Sequence, residues 1–99
     1  MTNLTVRPAL SGDRAAIERL AALDSASPPT GSMLVAEADS RMLAALPLGS
    51  GRAIADPFEP TAEAVALLEL RAAQLAERRE TSRRTIARLR GLFRAPARA

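Results

Sequence analysis

Met33-Leu34-Val35-Ala36-Glu37-Ala38-Asp39-Ser40-Arg41-Met42-Leu43-Ala44-Ala45-Leu46-Pro47-Leu48 decides the architecture of this chain: two apolar runs flank a short polar insert. Each run has the length of a strand rather than a helix, and the insert Asp39-Ser40-Arg41 is the size of a tight turn. The pair therefore reads as an antiparallel hairpin. Serine at position 40 fits poorly where such turns normally place a positive-φ glycine. Downstream, Gly49-Ser50-Gly51 marks a second turn and Arg52-Ala53-Ile54-Ala55-Asp56 a short last strand. Short turns between strands give an antiparallel meander.

Upstream, Leu4-Thr5-Val6-Arg7-Pro8 alternates apolar and polar residues and stops at proline, the pattern of a strand at or near a sheet edge. Ser11 is a good N-cap and Asp13 lies in the first turn, where a negative charge opposes the helix dipole. Ala16, Leu20 and Leu23 recur at helical spacing beside Ile17, with Arg14, Glu18 and Arg19 opposite, so a helix is predicted over 12–25. Ser25-Ala26-Ser27-Pro28-Pro29-Thr30-Gly31 ends it. The last third is one helical pattern opened by Thr61, with Glu59 and Glu63 near its start and no glycine or proline before Gly91. Val65, Leu68, Ala72 and Leu75 make its apolar stripe. That spacing then meets Arg79 and Ser82 and resumes at Ile86, Leu89 and Phe93. The prediction is an α+β domain, β-α-β-β-β-α, with a mostly antiparallel four-stranded sheet, a long C-terminal helix and both helices on one face. Residues 1–78 form the compact domain and 79–99 a basic, arginine-rich helical extension or tail.

At 99 residues the chain holds one modest core, burying ~60–65% of its unfolded surface. Alanine dominates the hydrophobic 47%, and Phe58 and Phe93 are its two aromatics, so each core side chain contributes little buried area. Cysteine, histidine, lysine, tyrosine and tryptophan are absent. Disulfides, thiolate metal sites, cysteine nucleophiles and a Ser-His-Asp triad are thereby excluded within one chain. The expected location is cytoplasmic: no basic segment followed by an apolar run opens the chain, and no stretch is apolar enough to span a bilayer. Charge is lopsided. Glu77 to Ala99 carry eight arginines against two glutamates, +6, while the whole chain is +3, which leaves residues 1–76 at −3.

Thr5-Val6-Arg7-Pro8-Ala9 with Asp13 and Ala16-Ile17, and Leu34-Val35-Ala36-Glu37-Ala38-Asp39 leading into Leu43-Ala44-Ala45-Leu46, resemble the N-terminal half of a GNAT-type N-acetyltransferase domain over residues 4–58. That resemblance implies a coenzyme A pyrophosphate loop, of the form Gln/Arg-x-x-Gly-x-Gly/Ala, at the following strand–helix junction. There the backbone amides would need glycines for close approach of phosphate. This chain instead reads Asp56-Pro57-Phe58-Glu59-Pro60-Thr61. Its glycine pair, Gly49 and Gly51, joins strand to strand and reads as a hairpin turn. No residue inherits a cofactor or catalytic role, and no cofactor is expected. Asp56, Glu59 and Glu63 read as charges at a helix N-terminus rather than metal ligands. Ser50 lacks the strand-to-helix context of a nucleophile.

Arg79, Arg83, Arg84, Arg88, Arg90 and Arg94 are the possible anion-binding residues. They form like-charged i,i+4 pairs that an anionic partner would relieve. The expected function is a non-catalytic interaction or scaffold protein on a degenerate acetyltransferase-like half-fold that self-associates as a homodimer. The alternatives are acyl-coenzyme A binding or acetyl transfer completed by a second chain, and nonspecific binding of nucleic acid or anionic membrane through the C-terminal arginines.

Overall fold

The two apolar runs are the central strands of a four-stranded antiparallel sheet ordered β1-β2-β3-β4. The computed structural model describes residues 3–49 and 51–93. In chain order these form β1 (Leu4–Pro8), a 3-10 turn (Ser11–Asp13), α1 (Arg14–Leu23), β2 (Met33–Ala38), β3 (Arg41–Pro47), β4 (Ile54–Ala55) and α2 (Ala62–Phe93). The chain is thus α+β with a long C-terminal helix, as its pattern predicts. The β2–β3 turn forms despite its residues: Asp39 and Ser40 adopt φ of 51° and 65°. Aspartate tolerates this left-handed region through its short polar side chain, whereas an ordinary residue gives up roughly 1–2 kcal/mol there.

One irregularity sets the rest of the geometry. Ala36 pairs with Ala44 but Glu37 pairs with Met42, so Leu43 is an extra residue in β3. A bulge of this kind shifts the alternation of faces by one residue. It explains why Met42 and Ala45, an odd number of positions apart, share one face. The Leu43 carbonyl accepts the Asp56 amide at 2.9 Å, which fixes the exit of β4.

Both faces of the sheet are covered. Met33, Val35, Met42, Ala45 and Ile54 pack against Ile17, Leu20 and Ala21 of α1. Leu34, Ala36, Ala44 and Leu46 pack against Ala64 and Leu68 of α2. The expectation that both helices lie on one face is therefore corrected. The physical reason lies in β2: Met33 to Ala36 are all buried, and an unbroken apolar run is what a strand shows when each face meets a helix. The segment 56–61 carries the chain from β4 around the sheet edge to the second face.

Two further expectations shift. The first helical turn is 3-10, and α proper begins at Arg14, with Ser11 inside the turn rather than capping it. Asp13 does more than face the dipole. Its carboxylate accepts the Leu10 amide at 2.7 Å and takes both terminal nitrogens of Arg7 at 2.8 and 2.9 Å. Arg7 Nε donates in turn to Glu37 at 2.9 Å, so one arginine ties β1, β2 and the start of α1. These bonds from Arg7, followed by the Leu10 amide, lower the Asp13 pKa from 3.8 to about 2, and the two carboxylates raise that of Arg7.

The helix α2 outruns the sheet. Thirty-two residues at 1.5 Å rise make it ~48 Å long, and the molecule measures 67 × 29 × 21 Å. Ala64 and Leu68 are buried and Val65, Ala72 and Leu75 half-buried, but every residue from Ala76 to Leu92 is exposed.

Candidate functional site

Two places hold residues that could act on something outside the chain: the junction between β4 and α2, and the exposed length of α2.

In the turn before α2, the backbone donors at positions 57–60 are absent or engaged. Pro57 and Pro60 have no N–H. The Phe58 amide donates to Asp56 Oδ1 at 2.8 Å, and the Glu59 amide to the Asp56 carbonyl at 3.4 Å. Asp56 is 3% exposed, so its carboxylate fills the turn instead of lining a cleft. The sequence places Asp56 here correctly but does not reveal that it closes the turn on itself; an Asp-Pro pair, which favours turn initiation, is the signal for that. The Val65 amide donates to the Thr61 carbonyl at 2.9 Å, which puts Thr61 at the start of α2 as expected.

Beside this helix start lies a cleft of about 570 Å³ whose polar lining includes Asp39, Arg41, Glu59, Thr61 and Glu63. Three carboxylates face one arginine there, a balance that repels phosphate. Arg41 is drawn to 3.6 Å from Glu59 and 4.0 Å from Asp56. These two of the three carboxylates considered for a metal thus approach an arginine, and no group of three metal-ligating side chains converges among the described residues. Gly49 and Gly51 sit between β3 and β4, away from any helix start; Ser50 lies outside the described residues.

Along the exposed part of α2, Arg79, Arg83, Arg84, Arg88 and Arg90 are all in solvent, and Arg94 lies outside the described residues. The Glu80–Arg84 contact at 3.6 Å is the single ion pair of this stretch among the described residues. At 100° per residue, Ser82, Thr85, Ile86, Leu89 and Leu92 fall within an arc of about 120°. Arg79, Arg83 and Arg90 border it on one side and Arg88 on the other, with Arg84 behind. The stripe through Ile86 and Leu89 is legible in the sequence. Leu92, 74% exposed, completes it and is missed by a reading that follows one 3-4 row; the i,i+3 step from Leu89 is the signal. A second missed feature is the outer face of the first half of α2, where Leu70 is exposed opposite the sheet and Leu67 is exposed on the adjoining flank.

Comparison of the chain with protein-family profiles, curated proteins and solved structures finds no match. Among the described residues, no helix is long and apolar enough to cross a membrane.

Proposed function

We propose that this chain is a non-catalytic, self-associating scaffold on an acetyltransferase-like half-fold. The observation that carries this reading is the β4–α2 junction. Where an acetyltransferase of the resembled kind presents glycine amides to a pyrophosphate, this junction has two prolines, ties the Phe58 and Glu59 amides to Asp56, and lines the helix start with Asp39, Glu59 and Glu63. Phosphate oxygens approaching that helix start would meet carboxylates that oppose their charge. Self-association is supported by Leu70, which stands in solvent on the face of α2 turned away from the sheet, with Leu67 on the adjoining flank and Ala66 and Ala73 also exposed. Apolar helix surface of this kind is stabilised when a second copy covers it.

Sedimentation at micromolar concentration tests the assembly: a species of twice the 10.5 kDa chain mass is expected, and Leu67→Arg with Leu70→Arg should return it to the monomer. Calorimetric titration with acetyl-coenzyme A tests the chemistry. No saturable heat is expected, and micromolar binding would favour the alternative in which a second chain completes an acyl-coenzyme A site.

A further inference from the structure

We infer that the distal part of α2, from Arg79 to Leu92, is a docking segment for an anionic lipid bilayer. The inference is independent of the scaffold reading and uses a different surface. Three observations carry it. First, the segment is exposed on all sides and borders no other element, so its side chains are free to meet a surface. Second, its apolar and charged residues are separated by angle. Ile86, Leu89 and Leu92 are 49%, 46% and 74% exposed within one arc that from Arg79 onward contains no charge, while five arginines border or back it. Third, the charge is complementary to an anionic surface. Five arginines against Glu80 leave +4 over these residues, with one i,i+4 pair to offset it.

A helix of this pattern lies in the headgroup region with its apolar face inserted ~5–10 Å, while arginines at the border of the arc reach outward to lipid phosphates. Each such charge adds about 1 kcal/mol near an anionic leaflet. Nucleic acid would use the arginines but leave the apolar arc uncovered. A second copy of the same segment would set arginine against arginine. The bilayer satisfies both halves of the pattern.

Orientation follows from the helix phase. Ile86 lies five turns beyond Leu68, on the side where α2 meets the sheet, so a helix lying flat would press the domain into the lipid. The segment therefore meets the surface at a slant, with the turns from Ser82 to Leu92 entering first and residues 76–81 spacing the domain away.

Co-sedimentation of the full chain with vesicles checks this. Binding is expected to an equal mixture of phosphatidylglycerol and phosphatidylcholine and not to phosphatidylcholine alone, with loss at high salt. The triple variant R83Q/R88Q/R90Q should weaken partition on the order of a hundredfold, about fivefold per charge. The pair I86S/L89S should weaken it at least about tenfold while leaving affinity for duplex DNA unchanged. All five positions are exposed, and unchanged thermal unfolding of the variants excludes misfolding as the cause. Vesicle binding that survives I86S/L89S, equal binding to uncharged vesicles, or no binding to either would each overturn the inference.

Discussion

The two halves of α2 share one backbone conformation and differ in nearly everything that holds it. From Ala62 to Leu75 the helix is secured from outside: Leu68 is fully buried, Ala64 nearly so, and both press on Leu34, Ala36, Ala44 and Leu46. From Ala76 onward no tertiary contact covers it, and four of its six described arginines, Arg79 with Arg83 and Arg84 with Arg88, work against it at i,i+4 spacing. Helices in proteins draw most of their stability from packing of one face rather than from intrinsic propensity. The proximal half thus belongs to the cooperative fold, and the distal half persists by continuing it. A segment so held is free to take its order from a partner.

Truncating one buried and one exposed residue of the same stripe should expose this contrast most sharply. Leu68→Ala removes a side chain with no solvent exposure and should destabilise the domain by about 3 kcal/mol. Ile86→Ala, five turns further along the same line, should stay within about 0.5 kcal/mol. Urea denaturation of both variants checks the pair, and similar costs would mean that the distal half is packed on a second subunit.

Acid offers a second, smaller test, because the body is clasped by Arg7 and the distal half is not. Asp13 titrates at about 2 in the folded chain and at 3.8 when unfolded, since Arg7 and the Leu10 amide favour its charged form. A lowered carboxylate pKa gives stability that is complete above the unfolded value and lost as pH falls through the folded one. Stability of the body should therefore decline between pH 4 and pH 2. Asp13→Asn should remove about 1–2 kcal/mol at neutral pH and flatten that decline. Removing Glu80, whose pair with Arg84 stands in solvent, should change nothing measurable. Thermal unfolding followed across this pH range would show whether the Asp13→Asn variant has lost the slope.

The β2–β3 turn gives a stabilising change of similar or smaller size. Ser40→Gly relieves a φ of 65° and should raise stability by roughly 0.5–1 kcal/mol, read as a higher thermal midpoint. The smallest effect should come from deletion of residues 80–99, which leaves the midpoint nearly unchanged although it removes about a fifth of the chain. A large drop would assign the distal half to the fold and erase the contrast between the halves.

Much of this was legible in the residues. The strand at 4–8, the hairpin through Asp39 and Ser40, and a long C-terminal helix starting near Thr61 follow from local pattern alone, because each is defined by apolar spacing and by turn residues close in sequence; that the helix continues to Phe93 is seen only in the structure. The placement of the arginines and the Ile86–Leu89 stripe followed in the same way. The face assignment did not. It depends on the path from Asp56 to Thr61 around a sheet edge, and local periodicity carries no record of which way the chain turns there. The unbroken apolar run from Met33 to Ala36 was the available sign, since a one-faced strand alternates.

The sequence by itself determined the element types, the absence of a glycine cradle before the last helix and the division between a −3 body and a +6 C-terminal segment. These are properties of composition and short-range spacing, which no tertiary contact can alter. Tertiary structure alone decided that the helices take opposite faces, that Leu43 bulges to bring Met42 and Ala45 together, that Arg7 joins residues 6 and 30 positions away, and that Asp56 folds inward onto the Phe58 amide. Each of these depends on burial and on partners distant in the chain or hidden by a turn. A carboxylate or an extra strand residue takes its role from the dielectric and the donors around it, and these exist only once the sheet has closed on both of its helices.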